Sequence, residues 1–240
     1  MKVKIRESAQ QPGGHAAGCL VCGKPVSYST QSAKKTCAIC RKTADSNAEC
    51  IDGHFVCDTC HSAGAASLIP LFLKSDEKSP VKLLQTVFEQ PQTHMHGPEH
   101  HTIVACVLLT ACRNNGGTLD LQKALGEAVK RGAQVPGGTC GFWGACGAAI
   151  SAGIYASVIT GSTPYNKAVW YLPQLLTSEC LSRIAKVGGP RCCKRTSRIA
   201  VDTAIAFTRE RLGVSMPEEN MKCTFFAKNK ECLKGACPYF

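Results

Sequence analysis

The sequence predicts a mainly α-helical protein with a small knuckle or ribbon domain in front and a cysteine-rich tail behind. Three observations carry that expectation. Three C-x-x-C pairs crowd residues 19–60. From Ser79 onward, apolar residues recur at helical spacing between proline and glycine stops. The last stretch, Cys223-x8-Cys232-x4-Cys237-Pro238, has thiols but few large apolar residues, so its order has to come from what the thiols bind.

At 240 residues the chain holds one domain of ordinary size and a small one, and 44% hydrophobic content supports a real core. Seventeen cysteines are far above normal. The opening Met1-Lys-Val-Lys-Ile-Arg-Glu7 is charged and lacks the apolar run of an export signal, so the thiols are expected to serve metal or redox chemistry in a reducing, anaerobic cytoplasm. No stretch reaches the roughly 18 apolar residues of a membrane span. The formal charge of +11 counts thiols as neutral, so it weighs little if many are metal-bound thiolates.

Residues 1–16 read as a loose polar arm carrying a solvated His15, and residues 17–64 as the zinc-knuckle domain. Each C-x-x-C can clip two tetrahedral corners of a zinc ion. Cys19, Cys22, Cys37, Cys40, Cys50, Cys57 and Cys60, completed by His54 or His61, make eight ligands for two zinc ions. The simplest pairing puts Cys19, Cys22, Cys37 and Cys40 on one ion, and a cross-braced pairing is equally compatible with the spacing. The half Cys50 to Cys60 resembles part of a RING or treble-clef module.

Residues 65–93 read as connection, with a short amphipathic helix opened by Ser79-Pro80 and ended before Pro91. Residues 94–214 form the expected helical domain. His94, His96, His100 and His101 with Glu99 crowd the mouth of the apolar helix Thr102 to Cys112, a set able to bind a divalent metal or move protons. A second helix is expected from Leu119 to Arg131, after the Asn114-Asn-Gly-Gly turn.

The centre of the chain is Cys140-Gly-Phe-Trp-Gly-Ala-Cys146, followed by a small-residue helix with Ile150, Ile154 and Val158 on its apolar pattern. A cysteine at a helix N-terminus feels the positive end of the dipole, which favours the thiolate. Leu175 to Val187 reads as another helix, with Thr177 as cap, stopped by Gly188-Gly-Pro190. Next, Cys192 and Cys193 stand among Arg191, Lys194, Arg195 and Arg198, cations expected to lower thiol pKa values, and a helix runs on to about Leu212. In the tail, residues 215–240, the final Cys-Pro step resembles the last ligand of ferredoxin-type motifs, with Cys192 or Cys193 available as the missing fourth ligand.

His96-Gly-Pro-Glu-His-His101, Cys140-Gly-Phe-Trp-Gly-Ala-Cys-Gly-Ala148, Gly189-Pro-Arg-Cys-Cys-Lys-Arg195 and the tail together resemble an uncharacterised cysteine-rich family of anaerobic microbes, along nearly the whole chain. That resemblance implies no settled activity. A fainter one covers residues 102–213, which are similar to proteins of a C…GCAxxG…C…C pattern assigned to redox or iron–sulfur work. It implies Cys106, Cys146, Cys180 and Cys192 or Cys193 in the four cysteine places, although the order here is Gly-Ala-Cys-Gly-Ala.

The expected function is therefore metal binding, by zinc and an iron–sulfur cluster such as [4Fe–4S], in redox, sulfur transfer or cofactor maturation. The expected cofactor ligands are Cys140, Cys146, Cys192, Cys193, Cys223, Cys232 and Cys237. The expected reacting groups are Cys146, Cys193, His96, His100 and Glu99. A protein partner or metalloenzyme complex is expected. The alternative is a zinc-ribbon module or assembly subunit for RNA or a partner metalloenzyme, against which stand 6% aromatic content and no recognised nucleic-acid motif, for DNA included. The sequence has no phosphate-binding loop, no dinucleotide fingerprint and no serine-hydrolase elbow.

Overall fold

The computed structural model describes residues 18–22 and 24–240; the expected arm with His15 lies outside the described residues. The chain divides into two compact units, the first ending at Val56 and the second running from Cys57 to Phe240.

The first unit is built on two antiparallel strands, β1 (Val26–Thr36) and β2 (Thr43–Cys50). Val26 pairs with Cys50 and Thr36 with Thr43, with an irregularity in register between Tyr28 and Ala33. The strands are rich in Ser, Thr and Ala; β1 is mostly exposed and β2 mostly half-buried, so the pair buries too little to be stable alone. Tight turns flank them. The Cys37 carbonyl accepts from Arg41 N–H at 3.0 Å, and Gly53, at φ +79°, closes the bend from Cys50 to His54.

The second unit is helical. Its elements are α1 (Asp58–Ala66), α2 (Ile69–Lys74), α3 (Pro80–Phe88), α4 (His100–Asn114), α5 (Leu121–Gly132), α6 (Thr139–Phe142), α7 (Gly147–Thr160), α8 (Tyr171–Val187) and α9 (Cys193–Leu212). The Ser79 hydroxyl caps α3 by accepting from Lys82 N–H at 3.3 Å, and Asp120 caps α5 through Lys123 N–H at 3.1 Å. Helix α4 is the core. Every residue from His100 to Cys112 is buried, and α3, α5, α7 and α9 pack around it.

Helix α7 lies between α4 and α8 because its side chains are small. The Ser151 hydroxyl reaches into α4 to accept the Ala105 N–H at 3.0 Å. A Cβ on Gly153 would stand 2.1 Å from Thr177 Oγ1 of α8. The buried face of α7 is thus Gly147, Ala148, Ala149, Ser151, Ala152 and Gly153, while Ile150, Ile154 and Val158, expected at the centre of its apolar face, are only half-buried. Helix α8 begins at Tyr171, earlier than expected. Pro173 fits its first turn, where a missing N–H costs no hydrogen bond. Thr177 is therefore inside the helix and donates to the Pro173 carbonyl at 2.8 Å instead of capping.

The tail has two short 3-10 turns, Phe226–Lys228 and Lys234–Ala236, and otherwise no regular structure. It is held by Tyr239 donating to Asp202 Oδ2 at 2.8 Å, by Arg198 donating to the Glu219 carbonyl at 2.5 Å, and by Phe225 edge-on to Phe88 at 5.9 Å. Among the described residues, no helix is long and apolar enough to cross a membrane.

Candidate metal and thiol sites

In the first unit, Cys19, Cys22, Cys50 and His54 bring their ligand atoms within 4.8 Å of one another. The antiparallel register causes this. It lays Val26 against Cys50, so the knuckle just before β1 meets the end of β2, whereas Cys37 follows the other end of β1 and bridges to Phe55. The simple pairing of Cys19 and Cys22 with Cys37 and Cys40 is thereby corrected, and His54 rather than His61 is the histidine of this group. The Cys22 and Cys50 sulfurs are 3.5 Å apart. Backbone N–H groups of Val21 and Asp52 donate to Cys19 at 3.3 Å and to Cys50 at 3.4 Å, as turns around a bound thiolate do. Burial works against ionising Cys50, but the Asp52 N–H and the Cys22 thiol outweigh it and bring its pKa to about 7. Three soft sulfurs and an imidazole at tetrahedral reach are a donor set that fits zinc.

In the second unit, Cys57 and Cys60 flank the start of α1, where His61 N–H donates to the Cys57 carbonyl at 2.9 Å. Farther along, His100, His101, Cys140, Cys146 and Cys193 line one open cleft of about 650 Å³, with Arg191 at its edge. The start of α4 supplies the histidines, α6 and the N-cap of α7 supply Cys140 and Cys146, and the first residue of α9 supplies Cys193. Phe142 and Trp143, between the first two thiols, are exposed. His96 is buried but does not line the cleft.

The two cleft imidazoles are fixed in one tautomer each. Nδ1 of His100 donates to the Gly97 carbonyl at 3.1 Å, and Nδ1 of His101 donates to the Val135 carbonyl at 3.0 Å, because a carbonyl can only accept. Each Nε2 therefore keeps a lone pair, and that of His100 is buried with no hydrogen-bond partner. Burial, with the nearby Lys194 charge, takes the His100 pKa down to about 3, and burial lowers that of His101.

The thiols of the cleft do not behave as their basic surroundings predict. Burial pushes Cys193 up to about 12, only partly opposed by Arg191 and the Gly97 N–H, and burial raises Cys140 as well. The other cations are turned elsewhere. Arg195 donates to the carbonyls of Gly188 and Pro190 at 2.8 and 2.7 Å, Lys194 reaches the Thr93 carbonyl at 3.3 Å, and Arg198 pairs with Asp202 at 2.9 Å. Burial thus favours the neutral forms of Cys193 and Cys140 and of the two imidazoles beside them.

The expected ligand set of seven cysteines is split between two places. Cys192, Cys223, Cys232 and Cys237 line a separate cavity of about 40 Å³, walled by Phe88, Phe225, Phe226 and Tyr239. Backbone N–H groups of Arg195, Phe225 and Lys234 donate to the sulfurs of Cys192, Cys223 and Cys232 at 3.5, 3.4 and 3.4 Å. The four sulfurs do not all come within 4.8 Å of one another. Thiolates sharing a single zinc at about 2.3 Å would stand about 3.8 Å apart.

Cys106 and Cys180, placed in a redox set by the fainter resemblance, are completely buried within α4 and α8, and burial pushes both thiols up to about 12. Glu99 was expected at the positive end of α4. It does stand at that end, but its side chain makes no cap hydrogen bond. It turns to His94, whose N–H donates to Oε1 at 2.9 Å, and to His61, whose Nδ1 is 3.2 Å from Oε2. The sequence places His61 directly after a zinc knuckle, and no local signal ties it to Glu99.

A helical scaffold carrying thiol and imidazole groups that could hold metal ions defines a cysteine-rich metal-binding protein. The chain belongs to the family of unknown function DUF5714, whose profile matches residues 68–240. No curated protein and no solved structure matches it.

Proposed function

We propose that this is a zinc- and iron–sulfur-binding protein of redox or sulfur-transfer chemistry, serving cofactor maturation. The observation that carries the reading is that Cys192 lines the cavity of the tail thiols while its neighbour Cys193 lines the open cleft. A cluster held by Cys192, Cys223, Cys232 and Cys237 would supply single electrons next to a cleft that contains thiols and bases. Phe88, Phe225 and Tyr239 exclude water there, and the N–H donors offset negative charge on the sulfurs.

In the cleft, Cys193 and Cys146 are the working thiols. Burial keeps the proton on Cys193, so its thiolate forms only when a metal ion or an electrophilic reactant entering the cleft binds the sulfur and displaces that proton to solvent. Zinc in the Cys19, Cys22, Cys50 and His54 group stabilises the front hairpin. The two remaining knuckles, Cys37 with Cys40 in the first unit and Cys57 with Cys60 in the second, are each a pair of thiols able to bind zinc. A protein partner or metalloenzyme delivers or receives the sulfur or electrons.

Anaerobic purification followed by iron, zinc and acid-labile sulfide analysis tests this. A brown protein absorbing at about 400 nm, with iron and sulfide beside zinc, is the expected result. Zinc alone at every site, without iron or sulfide, overturns it.

A further inference from the structure

A third ligand group stands apart from both thiol sites. His61 of α1, His94 of the loop before α4, and Glu99 at the head of α4 bring a nitrogen or oxygen each within 4.8 Å of one another. Nδ1 of His61 lies 3.2 Å from Glu99 Oε2, and Nδ1 of His94 lies 3.2 Å from Oε1. The two imidazoles meet edge to face at 5.3 Å between ring centres.

Glu99 has 0% exposure, yet its Oε2 has no hydrogen-bond partner, and neither has His61 Nδ1 opposite it. The pair is close but not aligned as a hydrogen bond. A buried carboxylate oxygen left in this state is costly unless a cation meets it.

The backbone is cut to fit this carboxylate. A Cβ on Gly97 would stand 2.0 Å from Oε2, so only glycine lets the Glu99 side chain fold back over the loop. The turn before α6 is fastened to the start of α1 by Gly137 N–H donating to Asp58 Oδ2 at 2.9 Å. The imidazoles are 21% and 31% exposed, so the group opens toward solvent on their side while the carboxylate is sealed behind them.

From this geometry we infer that His61, His94 and Glu99 bind a divalent first-row transition-metal ion. Two imidazoles and one carboxylate are three ligands, which leaves coordination positions open to water or a small anionic or carbonyl ligand, unlike a closed zinc knuckle. Oxygen and nitrogen donors without sulfur separate this ion chemically from the thiolate sites. The ion does not depend on the proposed cluster, because no ligand is shared.

Cobalt(II) tests the site in the zinc-loaded full chain. The difference spectrum between wild type and Glu99→Gln is expected to show one ion per chain with weak d–d bands and no thiolate-to-cobalt charge transfer. His94→Ala, at the more exposed ligand, is expected to weaken this binding at least about tenfold while leaving iron and sulfide content unchanged. It also decides the matter should Glu99→Gln fail to fold. Identical cobalt uptake and spectra in wild type and variants, or thiolate bands throughout, overturn the inference. Iron and sulfide content reports on the cluster proposal independently.

Discussion

Cys192 and Cys193 are consecutive residues with opposite destinations. Cys192 caps α9, takes the Arg195 N–H at 3.5 Å and lines the cavity of the three tail thiols, whereas Cys193 begins the helix and lines the cleft with His100 and His101. A helix start turns successive side chains to different sides, so adjacent cysteines line two cavities with one peptide bond between them.

That divergence predicts separable losses. Cys192→Ser would remove a ligand of the proposed cluster and is expected to lower iron and sulfide to a minor fraction of wild type after anaerobic purification. Cys193→Ser is expected to keep both and to lose alkylation or sulfur loading at the cleft. Metal analysis with peptide mapping checks this, and equal iron loss in the two variants contradicts it.

The front unit is expected to depend on metal. Its first strand is mostly exposed and its second only half-buried, and structural zinc supplies about 10–16 kcal/mol of folding free energy in comparable small modules. His54→Ala is expected to release one zinc per chain and to disorder the hairpin, while the thermal melt of the helical unit stays in place. Zinc content, hairpin amide signals and far-ultraviolet dichroism report the three quantities.

The buried thiols of α4 and α8 set an alkaline limit. Cys106 ionises at about 12 in the fold against an ordinary value of 9.0, because burial penalises its anion. Above the ordinary value the unfolded chain gives up a proton that the native chain keeps. This stabilisation is therefore complete below about pH 9 and is lost as pH rises toward 12. By pH 10.5 the loss from this thiol is about 2 kcal/mol, from about 1.4 kcal/mol per pKa unit. Urea midpoints between pH 7.5 and 10.5 are expected to fall less steeply in Cys106→Ala, although that variant starts lower (both ends of the range about as stated). Equal slopes refute the assignment.

Gly147 holds His101 in place by lacking a side chain. A Cβ there would meet His101 Cδ2 at 2.1 Å and Nε2 at 2.3 Å. Gly147→Ala is expected to cost about 1–3 kcal/mol and to push the imidazole off its bond to Val135. Chemical denaturation gives the first quantity, and the His101 ring signals give the second.

Local features of the fold are legible in the sequence, and non-local ones are not. Ser79-Pro80 marks the start of α3, and Gly188-Gly-Pro190 marks the end of α8, because caps and breakers act within one turn. The small-residue run after Cys146 announces a closely packed helix, but which face is buried depends on α4 and α8, and they meet the glycines and alanines rather than the isoleucines. The knuckles announce metal ligation without their pairing, since any C-x-x-C fits two corners of a tetrahedron and only the strand register joins Cys22 to Cys50. Neighbouring cations do not decide thiol ionisation, because Arg195 and Lys194 bind carbonyls and burial of Cys193 outweighs Arg191. His61 and Glu99 meet only through the packing of α1 against α4, which no local pattern encodes.

Anomalous diffraction at the iron and zinc edges, on crystals grown without oxygen, tests the central claim most directly. The account predicts an iron peak enclosed by Cys192, Cys223, Cys232 and Cys237, and a zinc peak among Cys19, Cys22, Cys50 and His54. A zinc peak in place of iron at the tail thiols, or no metal there at all, would contradict it.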